Sequence, residues 1–147
     1  RMAVAAIIEA QNGPICAVST HLESNAGATY RHEQMQVLLD AIDDFAPGLP
    51  VVLGGDLNTG NHMPPDFDWR RETLFGLAEA RGYTWDASAE GDTTQPSLIT
   101  PHPARSMRLD WIALRKGTGH PHPIAPSEDS EGRPLSDHLA VFATVAV

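Results

Sequence analysis

Two short apolar runs, residues 3–8 and 14–20, flank the polar triplet Gln11-Asn12-Gly13. Asn-Gly tolerates positive φ at both turn positions, so the pattern predicts an antiparallel hairpin. Farther along, Met35, Leu38, Leu39, Ile42, Phe45 and Ala46 recur at spacings of three and four. That is one buried face of a helix over residues 30–46, with Thr29 as its N-cap and Pro47-Gly48 as its stop. Pro50-Val-Val-Leu-Gly54 is too brief for a helix and reads as an interior strand buried on both faces. A polar loop over residues 56–68 leads into a second helix over residues 72–81, whose face is Leu74, Leu77 and Ala78 and whose stop is Gly82. Residues 86–106 show no period, residues 108–114 return to strand character, and the Gly- and Pro-rich stretch 116–136 reads as loop. Residues 139–147 alternate as a last strand. The order predicts an α/β layered domain whose polar loops gather at strand ends along one sheet edge.

The 147 residues, 41% hydrophobic and 20% charged, make one ordinary domain and exclude intrinsic disorder. A domain of this size buries roughly 68–70% of the surface its unfolded chain exposes, so it needs no disulfide or structural zinc. Cys16 alone cannot form an internal bridge and, with no cation beside it in sequence, reads as a small core residue. The formal charge of -9 repels a nucleic-acid backbone, so nucleic acid is a possible but unfavoured partner. With no apolar run near the roughly 18 residues of a membrane span and no leader pattern, a soluble chain is expected, with the cytoplasm as the favoured compartment. Arg1-Met-Ala-Val enters a strand without lead-in, as though cut from a longer protein.

Chemistry concentrates at four predicted strand ends. These carry His21 and Glu23, Asp56 and Asn58, Asp110, and Asp137-His138. Taken singly, each has an ordinary reading, and Asp-Leu-Asn could be no more than an Asx-turn. Gathered on one edge they make an oxygen-rich set suited to Mg²⁺ or Mn²⁺, whereas paired Cys or His-Glu-x-x-His spacing for zinc is absent. A His paired with a carboxylate can take a proton from water, an Asp can orient that water, an Asn amide can donate to phosphoryl oxygens, and a metal can neutralise them. Phosphoester hydrolysis is the reaction these groups would serve together.

Four segments carry a specific resemblance: Ser-Thr-His-Leu-Glu-Ser from residue 19, Pro-Val-Val-Leu-Gly-Gly-Asp-Leu-Asn-Thr from 50, Arg-Leu-Asp-Trp-Ile from 108 and Ser-Asp-His-Leu-Ala-Val from 136. In this order they resemble the endonuclease/exonuclease/phosphatase superfamily, which includes pancreatic-type deoxyribonuclease, apurinic endonucleases, neutral sphingomyelinases and inositol-polyphosphate 5-phosphatases. The resemblance implies that His138 activates or orients the attacking water and that Asp110 holds its imidazole. It further implies that His21 contacts the scissile phosphate and that Asp56 positions the nucleophile or a metal. Asn58 would bind phosphoryl oxygens, and Asp137 would be a metal-side carboxylate. Which His is base and which is acid stays open.

The family also has an Asn on its first strand and a metal-binding Glu on a following one, both before a His-Leu motif like this one. Only twenty residues precede His21, and Glu9 is no substitute, since it lies on the hairpin. The implied fold is therefore half of a four-layer α/β/β/α sandwich, with a mixed, mostly antiparallel sheet and helices on one face, lacking the N-terminal half. Such a half exposes an apolar sheet face that a companion chain, the missing half or a second copy should cover.

Lesser signals have plain readings beside functional ones. Arg31 could bind substrate phosphate, as could Gln34, or both could lie on a solvated helix face. Glu23 could sit near the site or cap its loop. His120-Pro-His122 lacks a third metal ligand. Trp69 and Trp85 could stack on a base or sugar, whereas Trp111, inside a strand, reads as packing. Two functional readings result: a Mg²⁺- or Mn²⁺-dependent phosphoesterase acting on a small or lipid-derived phosphoester, and a catalytically incomplete half-domain that binds a phosphate-bearing ligand or a partner chain. A serine hydrolase would need a Gly-x-Ser-x-Gly elbow, which the sequence lacks.

Overall fold

The computed structural model describes residues 1–61, 63–64, 66–96, 106–126 and 128–147. Strands β1 (Met2–Ala10) and β2 (Gly13–His21) form the expected hairpin, with Ala10 opposite Gly13. Helix α1 (Ala28–Phe45) then crosses to β3 (Val51–Asp56), which pairs parallel to β2. A 3₁₀ turn (Trp69–Arg71) precedes α2 (Thr73–Ala80) and the short β4 (Tyr83–Thr84); β5 (Asp110–Arg115) then runs antiparallel to both β3 and β4. The sheet order is β1-β2-β3-β5-β4, and β6 (Thr118–Pro121) pairs with β7 (Ala143–Ala146) as a separate two-stranded sheet. This is the mixed, mostly antiparallel α/β arrangement that the patterning implies.

The core lies between one sheet face and the two helices. Cys16, Val18, Val51, Leu53, Trp111 and Ala113 meet Met35, Leu39, Ile42, Leu74 and Ala78 in one buried cluster. Burial pushes the Cys16 thiol above its ordinary pKa, as befits a core residue. The three tryptophans also meet on this side: Trp111 lies 4.5 Å from Trp69 and 5.9 Å from Trp85 between ring centroids, with Phe75 against all three. Packing is thus the role the structure gives them.

The opposite face is only partly sealed. Gly119 of β6 lies so close to Leu114 and Ala87 that a Cβ there would stand 2.7 Å from the Leu114 side chain, so β6 covers the β5 end. At the other edge β1 is exposed on both faces except at Ala10.

Five expectations need correction. The N-cap of α1 is Gly27, with Thr29 inside the helix, because the preceding loop is tied to the first turn: Gly27 carbonyl accepts from Tyr30 N at 3.1 Å. Phe45 is half exposed, since the buried stripe continues to Ala46 instead. Strand β3 is interior but alternates, burying Val51 and Leu53 while Val52 and Gly54 are only partly covered. The last strand is confined to Ala143–Ala146, because residues 136–140 leave strand geometry to build the site, keeping only single bridges at His138 and Ala140. β6, inside the stretch read as loop, carries the Gly and Pro residues that mask a strand.

Candidate active site

Strand register assembles the edge. His21 stands opposite Asp56 across the parallel β2–β3 pair, and Asp56 opposite Asp110 across β3–β5, so one row of three strands points three ionisable side chains at the partly open face. Gly55 makes this packing possible. Its φ is +149°, and a Cβ there would fall 1.9 Å from the Thr20 carbonyl oxygen, so only glycine lets β3 lie this close to β2 immediately before Asp56.

His138 enters from the loop before β7. That loop is stitched to the sheet through residues 93–95: Leu139 N donates to Thr93 O at 2.7 Å and Gln95 N to Asp137 O at 2.9 Å. The buried Thr93 hydroxyl in turn accepts from Leu109 N at 2.9 Å and Asp110 N at 3.1 Å. Sequence reading missed Thr93, Thr94 and Gln95, because side-chain-to-backbone bonds leave no periodic trace.

The result is a continuous row. His138 Nδ1 is 2.8 Å from Asp110 Oδ2, His138 Nε2 is 3.9 Å from Asp56 Oδ2, and His21 Nε2 is 3.4 Å from the same Asp56 oxygen. The Asp110 hydrogen bond, reinforced by the charges of Asp110, Asp56 and Asp137, lifts the His138 pKa above its ordinary value against the opposing effect of burial. Burial, with Asp110 nearby, raises the Asp56 carboxyl in spite of the hydrogen bond it accepts from Asn58 N at 2.8 Å. That bond is an Asx-turn, as the plain reading of Asp-Leu-Asn expects, and both Asp56 and Asn58 line the cleft.

Asn58 adopts a left-handed φ of 52° and is almost fully buried at the cleft wall. Its amide is held at both ends: Nδ2 donates to Leu22 O at 3.1 Å, and Oδ1 accepts from Asn61 Nδ2 at 3.0 Å. The cleft has a volume of about 720 Å³ and is lined by His21, Asp56, Asn58, Asp110, Asp137 and His138 among others. All six of these sequence-derived candidates therefore come together.

Arg31 does not join them. It is fully buried, with Nε and Nη2 bonded to the Glu72 carboxylate at 2.9 and 2.5 Å, so its guanidinium cannot meet a phosphate in the cleft. Gln34 is likewise occupied, its Oε1 accepting from Glu23 N at 2.8 Å and fastening the loop that follows His21. Glu23 serves that loop too, accepting from Asn25 N at 2.9 Å. Glu9 is exposed on β1, and His122 bonds Thr144 Oγ1 at 2.7 Å. Among the described residues, no group of three or more His, Cys, Asp or Glu side chains is arranged to hold a metal ion. Nor is any helix long and apolar enough to cross a membrane among them.

No family model matches the chain, and no curated protein does. Solved structures do. A functionally unknown conserved protein from Enterococcus faecalis matches with a TM-score of 0.71 at 22% identity, over 99% of this chain and 56% of that one. An endonuclease/exonuclease/phosphatase from Bacteroides vulgatus matches with a TM-score of 0.68 at 20% identity, over 99% and 55%. A humanized form of D. rerio TDP2 matches at 0.63 and 19% identity, over 99% and 60%. The chain thus shares the fold of endonuclease/exonuclease/phosphatase proteins, while spanning little more than half the length of these structures.

Proposed function

We propose that this chain carries the catalytic edge of a divalent-metal-dependent phosphoester hydrolase. The observation that carries the reading is the row Asp110–His138–Asp56–His21, at 2.8, 3.9 and 3.4 Å, beside the fixed amide of Asn58. Four groups of complementary chemistry on one strand edge are more than a turn or a surface His requires.

The roles follow from the bonds. Asp110 accepts the Nδ1 proton of neutral His138, which leaves the Nε2 lone pair turned towards Asp56 and the cleft. A water between Nε2 and Asp56 attacks phosphorus as Nε2 takes its proton, the bond from phosphorus to the leaving oxygen breaks, and that oxygen takes a proton from water in the open cleft. An imidazole N–H of His21 and the second N–H of the Asn58 amide donate to the phosphoryl oxygens as charge grows on them. The His that Asp110 holds is here the base.

Mg²⁺ or Mn²⁺ would neutralise phosphoryl oxygen charge, with Asp56 and Asp137 as the carboxylates this chain offers. These residues do not complete a cage, so the remaining donors come from a companion: an N-terminal half, another chain or a second copy. The same companion covers the apolar face beside β1. With a formal charge of -9, a small or lipid-derived phosphoester suits the chain better than duplex DNA.

Hydrolysis of bis(p-nitrophenyl) phosphate with and without Mn²⁺ tests the reading on the protein in its native assembly. His138→Ala and Asp56→Ala should each lose about a thousandfold in kcat while keeping their circular dichroism. Turnover equal to the parent in both variants would reject it. The open face and the short span favour one other reading, a half-domain that binds a phosphate-bearing ligand or a partner chain without turnover; it is the outcome if the completed assembly binds inorganic phosphate and hydrolyses nothing.

A further inference from the structure

Arg31 and Glu72 lie outside the cleft, yet they are the most completely buried charges in the described structure. Both side chains are fully inaccessible, and a buried ion pair is a poor way to gain stability, since apolar residues of similar volume often serve as well or better. Their other bonds show what they do. Glu72 is the N-cap residue of α2 but makes no capping bond with its side chain. Its Oε1 instead accepts from Gly60 N at 2.5 Å, while Arg31 Nη1 donates to Ala26 O at 2.6 Å and reaches Asn61 O at 3.5 Å. The pair therefore grips the loop after β3 at Gly60 and Asn61, and the loop after β2 at Ala26. Asn58 bridges the same two loops through Asn61 and Leu22.

We propose that Arg31 and Glu72 form a buried positioning clamp that sets the Asn58 amide in the cleft, through the Gly60 N–H held by Glu72. This rests on the reading of Asn58 as the phosphoryl-binding amide. The left-handed backbone at Asn58 and positive φ at Gly60, +73°, are conformations the chain leaves readily unless held. A carboxylate acceptor fixed by a bidentate guanidinium supplies a rigid anchor.

Two double variants separate positioning from stability. Arg31→Met/Glu72→Gln removes both charges but keeps an oxygen for Gly60 N–H; Arg31→Met/Glu72→Leu removes that acceptor as well. The second should turn over about tenfold or more slower than the first with little change in KM, because losing the Gly60 acceptor turns the Asn58 donor from its best direction and weakens mainly the transition state, whereas the first loses only the hold of the guanidinium. Equal kcat in the two overturns the clamp. Amide hydrogen exchange at Gly60, followed by NMR on the same proteins, needs no turnover: it should stay slow in the Gln variant and speed up at least about tenfold in the Leu variant. Equal exchange also overturns it. Should the Leu variant fail to fold, Glu72→Asp keeps the charge but draws the acceptor back from Gly60, and unchanged Gly60 exchange there overturns the proposal. Asn58→Ala distinguishes the two ideas. If it hydrolyses as the parent does, the reading of Asn58 fails; if it is crippled while the double variants match, the clamp alone fails.

Discussion

The two faces of one sheet carry different work. On the helix side, Cys16, Val51 and Leu53 are sealed, and Arg31–Glu72 is, among the described residues, the ion pair whose two side chains are both fully buried. On the other side the same strands present His21, Asp56 and Asp110, and beyond them Met2 and Val4 stand 75% and 63% exposed. Strand alternation alone produces this division, since residues one apart point to opposite faces. The covered face stabilises the domain, and the open one carries the candidate site beside exposed apolar surface. The loops at the edge belong to both, held from beneath by Glu72 and opening above into the cleft.

The sharpest way to break this division is at the residue that both faces need. Gly55→Ala should cost more than about 3 kcal/mol and abolish cooperative unfolding in urea at native temperature, because neither β2 nor β3 can yield to a Cβ 1.9 Å from Thr20 O. A cooperative urea transition near the parent midpoint would show that the strands slide apart freely. Next come the faces themselves. Leu53→Ala, in the sealed cluster, should lose about 2–5 kcal/mol, whereas Val4→Ala on exposed β1 should stay within about 0.5 kcal/mol in the isolated chain. A large loss at Val4 would mean that a companion already covers β1 in the sample.

Much of this was legible in the sequence, for a physical reason. The hairpin announces itself through two apolar runs around Asn-Gly, α1 through apolar positions three and four apart, and β3 through a short apolar run, while the four strand-end motifs place ionisable residues where polar residues interrupt apolar runs. What stayed hidden is what period cannot encode. Arg31, on a helix surface by its charge, is buried because Glu72, forty-one residues on, meets it. Thr93 holds Asp110 through a hydroxyl in a segment with no pattern. β6 is concealed by Gly119, which its packing against Leu114 requires, and by Pro121 at its end. In each case a tertiary partner decides the role, and sequence spacing cannot name that partner.

A smaller effect tests whether the open face sacrifices stability for chemistry. Burial holds the Asp56 pKa above the ordinary carboxylate value, so the native state favours the protonated form. The sign follows by linkage. The contribution of Asp56 to stability is fully present below the ordinary Asp pKa of about 3.9 and is lost as pH rises through the raised folded value. At neutral pH the folded chain therefore bears the cost of a half-desolvated charge. Asp56→Asn keeps an oxygen for Asn58 N–H and removes that cost, so it should abolish turnover yet gain about 0.5–2 kcal/mol at pH 7, with the gain vanishing towards pH 4. Denaturant titrations across that range check it, and a loss of stability at pH 7 would place Asp56 among the stabilising residues instead.

The smallest effect concerns His138, where direction matters more than size. Its pKa is raised, chiefly by the hydrogen bond to Asp110, so the native state favours the imidazolium and the unfolded chain does not. That stabilisation is fully present below the ordinary His value of about 6.5 and disappears as pH climbs through the raised value, the opposite limb from the one catalysis uses. As the base, His138 must be neutral, so kcat/KM should rise with pH along an inflection above about 6.5. Asp110→Asn removes the charge and most of the orienting bond, and it should move that inflection back towards the ordinary value while lowering the plateau. The same substitution should shrink the stability difference between pH 5 and pH 8. An inflection that stays in place would mean that a group other than His138 sets the rise of kcat/KM with pH, and the assignment of His138 as the base would fail.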